Sequence, residues 1–410
     1  MPPEVPPALV PATASAAPWR LPAAAAFPLL ALLLFAYFFA AAAPTPLFIV
    51  FQRAWGFSSS MLTVAFAIYA LALLASLLVA GSLSDYVGRR PVMFVALLMQ
   101  AVAMGMFLLA DGIGGLIAAR IMQGIATGIA SGALSAAVIE AAPEARKRLG
   151  AMITSTSPLA GLAAGGLFTG IAARYAAHPV ELMFGMLGVV CVVGGVLALL
   201  VPETSTPRPG ALASLKPRVA VPRPARAAFL RAVPVFITCW SLCGLYMSLG
   251  PSLMLHRFGI DHGVVNGATL AVLAGMGALS PTLLARLRPA QAAVVGMGLV
   301  AVGLVLLLVS LATTSIWLFF AGTAVAGVGF GGGFSATLQT LAPLAPAQER
   351  AQLFAAIFTV SYTAFSVPAM VAGRLIEPLG LATTTEGYLT ILLVLSLCGA
   401  WSQWAGARRP

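Results

Sequence analysis

Twelve stretches of nearly unbroken apolar character, each long enough to cross a bilayer, constrain this chain more than any other feature. They lie near 23–43, 59–81, 92–110, 113–138, 151–172, 181–201, 229–253, 263–284, 290–312, 315–340, 351–373 and 382–404. A helix needs roughly 20 mostly apolar residues to span the hydrocarbon core, so each stretch reads as one membrane helix. Composition leaves no soluble alternative: 60% of the 410 residues are hydrophobic and 8% are charged, whereas soluble domains carry about 25% charged residues. The expected fold is an all-α membrane protein with twelve transmembrane helices.

The net charge of +11 raises nucleic acid as a partner, but the distribution of charge argues against it. With a cytoplasmic N-terminus, 17 of the 22 Lys and Arg residues fall in segments on that side, and only Arg53, Arg174, Arg257 and Arg374 fall outside. Arg120 lies within a span. This is the positive-inside bias of a multi-pass protein of the cytoplasmic (inner) membrane with both termini cytoplasmic, its excess charge placed to meet anionic membrane lipids. A Pro- and Arg-rich linker, 202–228, separates a first bundle of six helices (22–201) from a second (229–404). The Pro- and Ala-rich residues 1–21 lack a basic start followed by an apolar run, so they read as a disordered cytoplasmic tail rather than a signal peptide, and 405–410 form a second short tail. A faint repeat sets Gly124 over Gly327, Gly128 over Gly331 and Pro143 over Pro346. It supports two pseudo-symmetric six-helix bundles.

The loop between the second and third spans reads GSLSDYVGRRPVM, residues 81–93, and concentrates charge in a chain that has little. Its Gly81, Asp85, Gly88, Arg89 and Arg90 resemble the signature loop of the major facilitator superfamily, at the position where that family carries it. The resemblance implies that the glycine lets helices of opposite halves approach and that the aspartate and basic residues form a cytoplasmic latch. Physically, Asp85 is placed to cap the positive end of a neighbouring helix, span eleven by the resemblance, and Arg89 or Arg90 to pair with Glu140 at the end of span four.

Span four, ARIMQGIATGIASGALS, carries Arg120, Gln123, Thr127 and Ser131 on one stripe at helical spacing, beside Gly124, Gly128 and Gly132 at every fourth residue. A polar stripe in a bilayer must face water or protein, and glycines so spaced make a close packing face. The arginine, glutamine and glycine also resemble the fourth-helix motif of the same superfamily. Arg120, Gln123 and Thr127 are therefore expected in a substrate cavity, with walls from Tyr37, Tyr69, Trp240, Tyr246 and Tyr362, whose rings offer apolar faces with polar handles. In span five, Pro158, Gly161, Gly165 and Gly166 loosely resemble the fifth-helix motif of the exporters, without the adjacent Gly-Pro pair. Pro158 should favour a bend, and the glycines should allow contact across the halves.

The sequence also argues against several chemistries. Cys191, Cys239, Cys243 and Cys398 all fall in predicted spans without zinc spacing, the three histidines lie in predicted outer loops, and neither a phosphate-binding loop nor a nucleophile elbow is present. An enzyme, a cofactor and a metal site are not expected. The acidic residues all lie at helix ends or in loops, which departs from the membrane carboxylate common in proton-coupled relatives and leaves the proton as one candidate coupling ion. A lone cation at depth favours a neutral or anionic amphipathic solute over a cationic one. The expectation is a monomeric secondary transporter for a small organic solute, with efflux favoured, and with uptake or a flux-free sensor as alternatives.

Overall fold

All twelve stretches are helical in the computed structural model, which describes residues 20–407. Most run beyond the ends read from hydropathy. The first span is in two pieces, α1 (Ala23–Ala42) and α2 (Pro44–Trp55), separated at Ala43. Pro44 and Pro46 are tolerated there because the first turn of a helix has no use for the missing N–H groups. There follow α3 (Ser59–Ala80), the short α4 (Ser84–Val87), α5 (Arg89–Leu109), α6 (Ile113–Ala141), α7 (Lys147–Tyr175) and α8 (Pro179–Leu200). A single turn, α9 (Ala211–Ser214), interrupts the linker. The second half comprises α10 (Arg226–His256), α11 (Gly263–Leu283), α12 (Pro289–Thr313), α13 (Ile316–Leu341), α14 (Arg350–Leu379) and α15 (Leu381–Ala407). His256 thus ends a helix instead of lying in a loop, and the expected C-terminal tail is helical as far as residue 407. Of the disordered tail expected over 1–21, residues 20 and 21 are described and Leu21 is held in place, its N–H donating to the Leu200 carbonyl at 2.9 Å; the rest, and residues 408–410, lie outside the described residues.

Each half has its own buried core, with Leu30, Leu34, Met93 and Leu97 in the first and Leu242, Leu249, Val300 and Leu304 in the second. The outward faces are also apolar: Leu32, Val102, Val189, Val302, Ile391 and Trp401 are all exposed. A surface of that kind is stable only where its solvent is lipid.

Small residues set the helix spacing. Gly124 and Gly128 of α6 lie directly on the α3 backbone at Tyr69 and Leu73, and a Cβ on Gly128 would come within 2.7 Å of the Leu77 nitrogen. In the second half, Gly327 and Gly331 of α13 lie in the same way on α11 at Leu273 and Gly277. The faint sequence repeat is therefore a real structural one, with the same glycine seam built twice.

One expectation about span five changes in part. Gly161 and Gly165 pack against α1, where a Cβ on Gly161 would meet the Phe35 carbonyl at 2.7 Å, so they close up the first half and do not bridge to the second. The bridge across the halves is made by Gly166, as expected of it, together with Gly170: they lie against Gly263 and Gly267 of α11. Pro158 sits inside α7, which continues as one helix on both sides of it.

Candidate functional site

Gly88 joins α4 to α5 with φ +99°, a conformation natural only to glycine. A side chain there would also strike the Glu203 carboxylate, 2.7 Å from an added Cβ. Glu203, just past α8, accepts from the backbone N–H groups of Arg89 (2.8 Å) and Arg90 (3.1 Å), and so caps the positive end of α5. The Arg89 side chain is buried among acceptors: Asp85 at 2.5 Å, Ser84 at 2.6 Å, and Glu140 in a two-point contact at 2.9 and 3.2 Å. The expected arginine–Glu140 pair therefore exists and uses Arg89, while Arg90 donates to the Leu199 carbonyl.

The Asp85 contact with span eleven, expected when the loop side is closed, is not formed in this conformation, whose cavity lies toward the loop face. Among the described residues its ion-pair partner is Arg89, four residues on, and no hydrogen bond or ion pair joins it to the start of α14. Gly81 also differs: it meets Gly132 of α6, a helix of its own half, with an added Cβ on Gly132 only 3.0 Å from the Gly81 oxygen. Sequence reasoning found the linker but missed the role of Glu203 and the docking of the linker on the loop. Thr204 donates to Glu140, the Arg208 N–H to the Tyr86 carbonyl at 2.9 Å, and Ser82 to the Ser214 carbonyl at 3.4 Å. The linker is strapped onto the loop. A carboxylate directly after span six, on the same side as the Arg-Arg pair, was the available signal.

A cavity of about 410 Å³ lies between the halves. Its lining comes from the portions of α3, α6, α7, α11, α13 and α14 nearer the face that bears the Gly81–Arg90 loop, here the loop face, with Phe38 of α1 and Trp240, Cys243 and Met247 of α10. The second half contributes an aromatic wall, with Trp240 4.8 Å from Tyr362 and 5.8 Å from both Phe334 and Phe365, measured between ring centres. The first half contributes hydroxyls: Ser131, Ser135, Thr154, Ser155 and Thr156. Thr154, Ser155 and Thr156 donate to carbonyls three or four residues back in their own helix, which leaves their oxygens as acceptors for a ligand. Among the described residues the lining holds no charged side chain.

Toward the opposite face the halves are in contact. The Gly166–Gly170 and Gly263–Gly267 seam closes α7 on α11, and Gly373 of α14 abuts Thr63 of α3. Arg53 and Asp261 pair across the halves at 2.9 Å, and the Phe66 and Phe365 rings meet at 4.8 Å.

Of the expected cavity residues, Tyr69, Trp240 and Tyr362 line it and the others do not. Tyr37 points into the first half, its hydroxyl 3.5 Å from the Ala96 carbonyl of α5. Tyr246 turns into the second half and shares a 2.5 Å hydrogen bond with Thr323. Arg120, Gln123 and Thr127 are fully buried. These three residues of the α6 stripe face their own half, where the glycine seam draws α3 over them, and only Ser131, nearer the loop face, reaches the cavity. Arg120 donates to Gln123 (2.5 Å) and to the Ala65 carbonyl of α3 (3.4 Å), Gln123 donates to the Ala40 carbonyl of α1 (3.0 Å), and Thr127 to the Gln123 carbonyl. The guanidinium carbon lies 4.2 Å from the Tyr69 ring centre and 5.6 Å from that of Phe48. Such contacts contribute about 2 kcal/mol each when desolvated, less than the several kcal/mol that burying a charge costs. Among the described residues Arg120 has no acidic partner, and its Nη2 has no hydrogen-bond partner.

Two six-helix bundles around a shared cavity, approached on one face and sealed on the other, define a membrane carrier for small solutes. The chain belongs to the Major Facilitator Superfamily, whose family model matches residues 30–369. It is a multi-pass secondary transporter, and not an enzyme. Among solved structures, the human organic anion transporter MFSD10 (TETRAN) has a TM-score of 0.65 at 16% identity, covering 93% of this chain and 100% of that one. A mutant nucleoside transporter NupG gives 0.69 at 11%, covering 92% and 98%. A mutant peptide transporter POT with bound sulfate gives 0.73 at 15%, covering 90% and 92%. Likeness at these identities is likeness of fold. No curated protein matches the chain.

Proposed function

We propose that this transporter moves amphipathic aromatic solutes across the cytoplasmic membrane by alternating access, in the direction of export. The observation that carries the reading is the cavity: an aromatic wall from one half faces hydroxyl acceptors from the other, with no charged side chain in the lining among the described residues. Stacking on Trp240 and Tyr362 would hold a planar apolar body, and the hydroxyl wall would receive a polar group. The concentration of basic residues on the loop face supports a cytoplasmic loop face with both termini inside, so that the cavity faces the cytoplasm. The loop residues Asp85, Arg89, Arg90 and Glu140 would then act at the inner gate, re-forming contacts across the halves when that side closes. Export is favoured by the fifth-helix resemblance and by a cavity suited to compounds that partition into membranes. A proton gradient is the driving force under test.

The experiment is flux of tritiated naphthylacetamide, a neutral aromatic probe, in everted vesicles under an imposed inward-acid proton gradient. Accumulation above protein-free vesicles is expected. Accumulation only in right-side-out vesicles would make the protein an uptake carrier, and binding without flux in either would make it a sensor. Equal flux with and without the gradient would replace coupled export by facilitated diffusion.

A further inference from the structure

Tyr69 belongs at once to the inner end of the cavity and to the buried polar cluster behind it. The residue lines the cavity, and its ring covers the Arg120 guanidinium at 4.2 Å. Behind the ring, Arg120 is fully buried, its Nη2 lacks a hydrogen-bond partner and it forms no ion pair among the described residues. The acceptors that Arg120 does reach are neutral: the Gln123 amide oxygen and the Ala65 carbonyl. The acidic side chains of the described residues lie at helix ends or in loops and cannot supply a counter-charge at that depth. A guanidinium held this way is an anion site by its chemistry, since a planar fork of donors with one nitrogen unpartnered matches a carboxylate. Tyr69 lines the cavity although it is only 5% exposed, so uncovering the guanidinium requires its ring to change rotamer toward the cavity space.

We propose that Arg120 is a shielded carboxylate-binding site at the inner end of the cavity, uncovered when the Tyr69 ring turns aside, so that the favoured solutes are aromatic monocarboxylates. The inference rests on the cavity reading above and narrows it from amphipathic solutes to anionic ones. The aromatic wall holds the body of the solute, the carboxylate enters past Tyr69 to reach Nη2, and Tyr69 discriminates by yielding only to a group whose charge offsets the removal of the ring from the guanidinium. Gln123, anchored on the Ala40 carbonyl of α1, keeps the guanidinium pointed the right way and is a positioning residue.

The test compares two probes of nearly equal shape, tritiated naphthylacetate and tritiated naphthylacetamide, binding to the purified full-length protein. A charge-assisted hydrogen bond that only the acid can form should make it bind about tenfold tighter or more. Arg120→Gln should bring the acid-to-amide ratio to about one, and Tyr69→Ala, which uncovers the guanidinium, should raise the ratio above that of the wild type. The wild-type comparison needs no variant to fold. Equal binding of the two probes by the wild-type protein overturns the carboxylate site and leaves the cavity reading standing. Binding of neither probe overturns both. A ratio that survives Arg120→Gln places the anion contact elsewhere and overturns the assignment to Arg120.

Discussion

Glu203 caps α5 through two backbone N–H groups and fixes the first turn of the linker through those of Thr204 and Ser205. Removing a cap of this kind costs roughly 1 kcal/mol, and here the neighbouring Arg89–Glu140 contact would also lose a brace. Glu203→Ala should therefore lower the melting temperature of the purified protein by about 2–4 °C; an unchanged melting temperature would show that the cap bears no weight. The residue escaped sequence reasoning because a carboxylate in a proline-rich linker looks solvated until folding sets the end of α8 beside the start of α5. The direction of a side chain is equally illegible. Tyr37, Tyr69 and Tyr246 are alike in the sequence, yet only Tyr69 reaches the cavity. Arg120 was legible as a cation that must face protein, but not as one facing its own half. A helical stripe reveals which residues share a side and not what that side meets.

At the scale of helices much more could be read ahead. Glycine at every fourth residue of α6 is a local pattern with a single physical meaning, close backbone contact, and α3 provides that contact. The α7–α11 seam was harder, because Gly166 and Gly170 share α7 with Gly161 and Gly165, and only the fold assigns one pair to α11 and the other to α1. That seam closes the opposite face, so filling it should favour opening. Gly267→Leu would push a side chain into the Gly166 backbone, and overpacking of this kind costs about 1–3 kcal/mol. In a Thr63→Cys background, labelling of the introduced cysteine by an impermeant maleimide should rise roughly tenfold. An unaltered labelling rate would mean that the α7–α11 contact does not control that face.

For the whole molecule, the twelve spans and the division into two bundles were plain in the sequence, because lipid demands long apolar helices and polar linkers must lie outside them. Whether the cavity sits toward the loop face was not readable, since it depends on how two rigid halves tilt against each other. Carrier action requires that tilt to reverse. Arg53 and Asp261 straddle the sealed face but are more than half exposed, so the ion pair itself contributes at most about 1 kcal/mol and cannot be the lock. Its position is nonetheless useful. Replacing both by cysteine and joining them with a cleavable bifunctional maleimide should hold that face shut and cut flux below roughly a tenth, a shift of more than about 1.4 kcal/mol, with recovery on cleavage. Undiminished flux after complete cross-linking would rule out rocking of the halves as the transport step.

The repeat has one asymmetry. The glycine seam is duplicated, but the residue set opposite Arg120 in the second half is Thr323, held in a neutral hydrogen bond with Tyr246. Duplicated joints with unduplicated charge give the cavity a head and a tail. A solute whose charged end seeks the first half and whose ring rests on the second would make the whole crossing in one orientation, and mirror-image solutes with the same two groups would be told apart by the side their third substituent is forced to face.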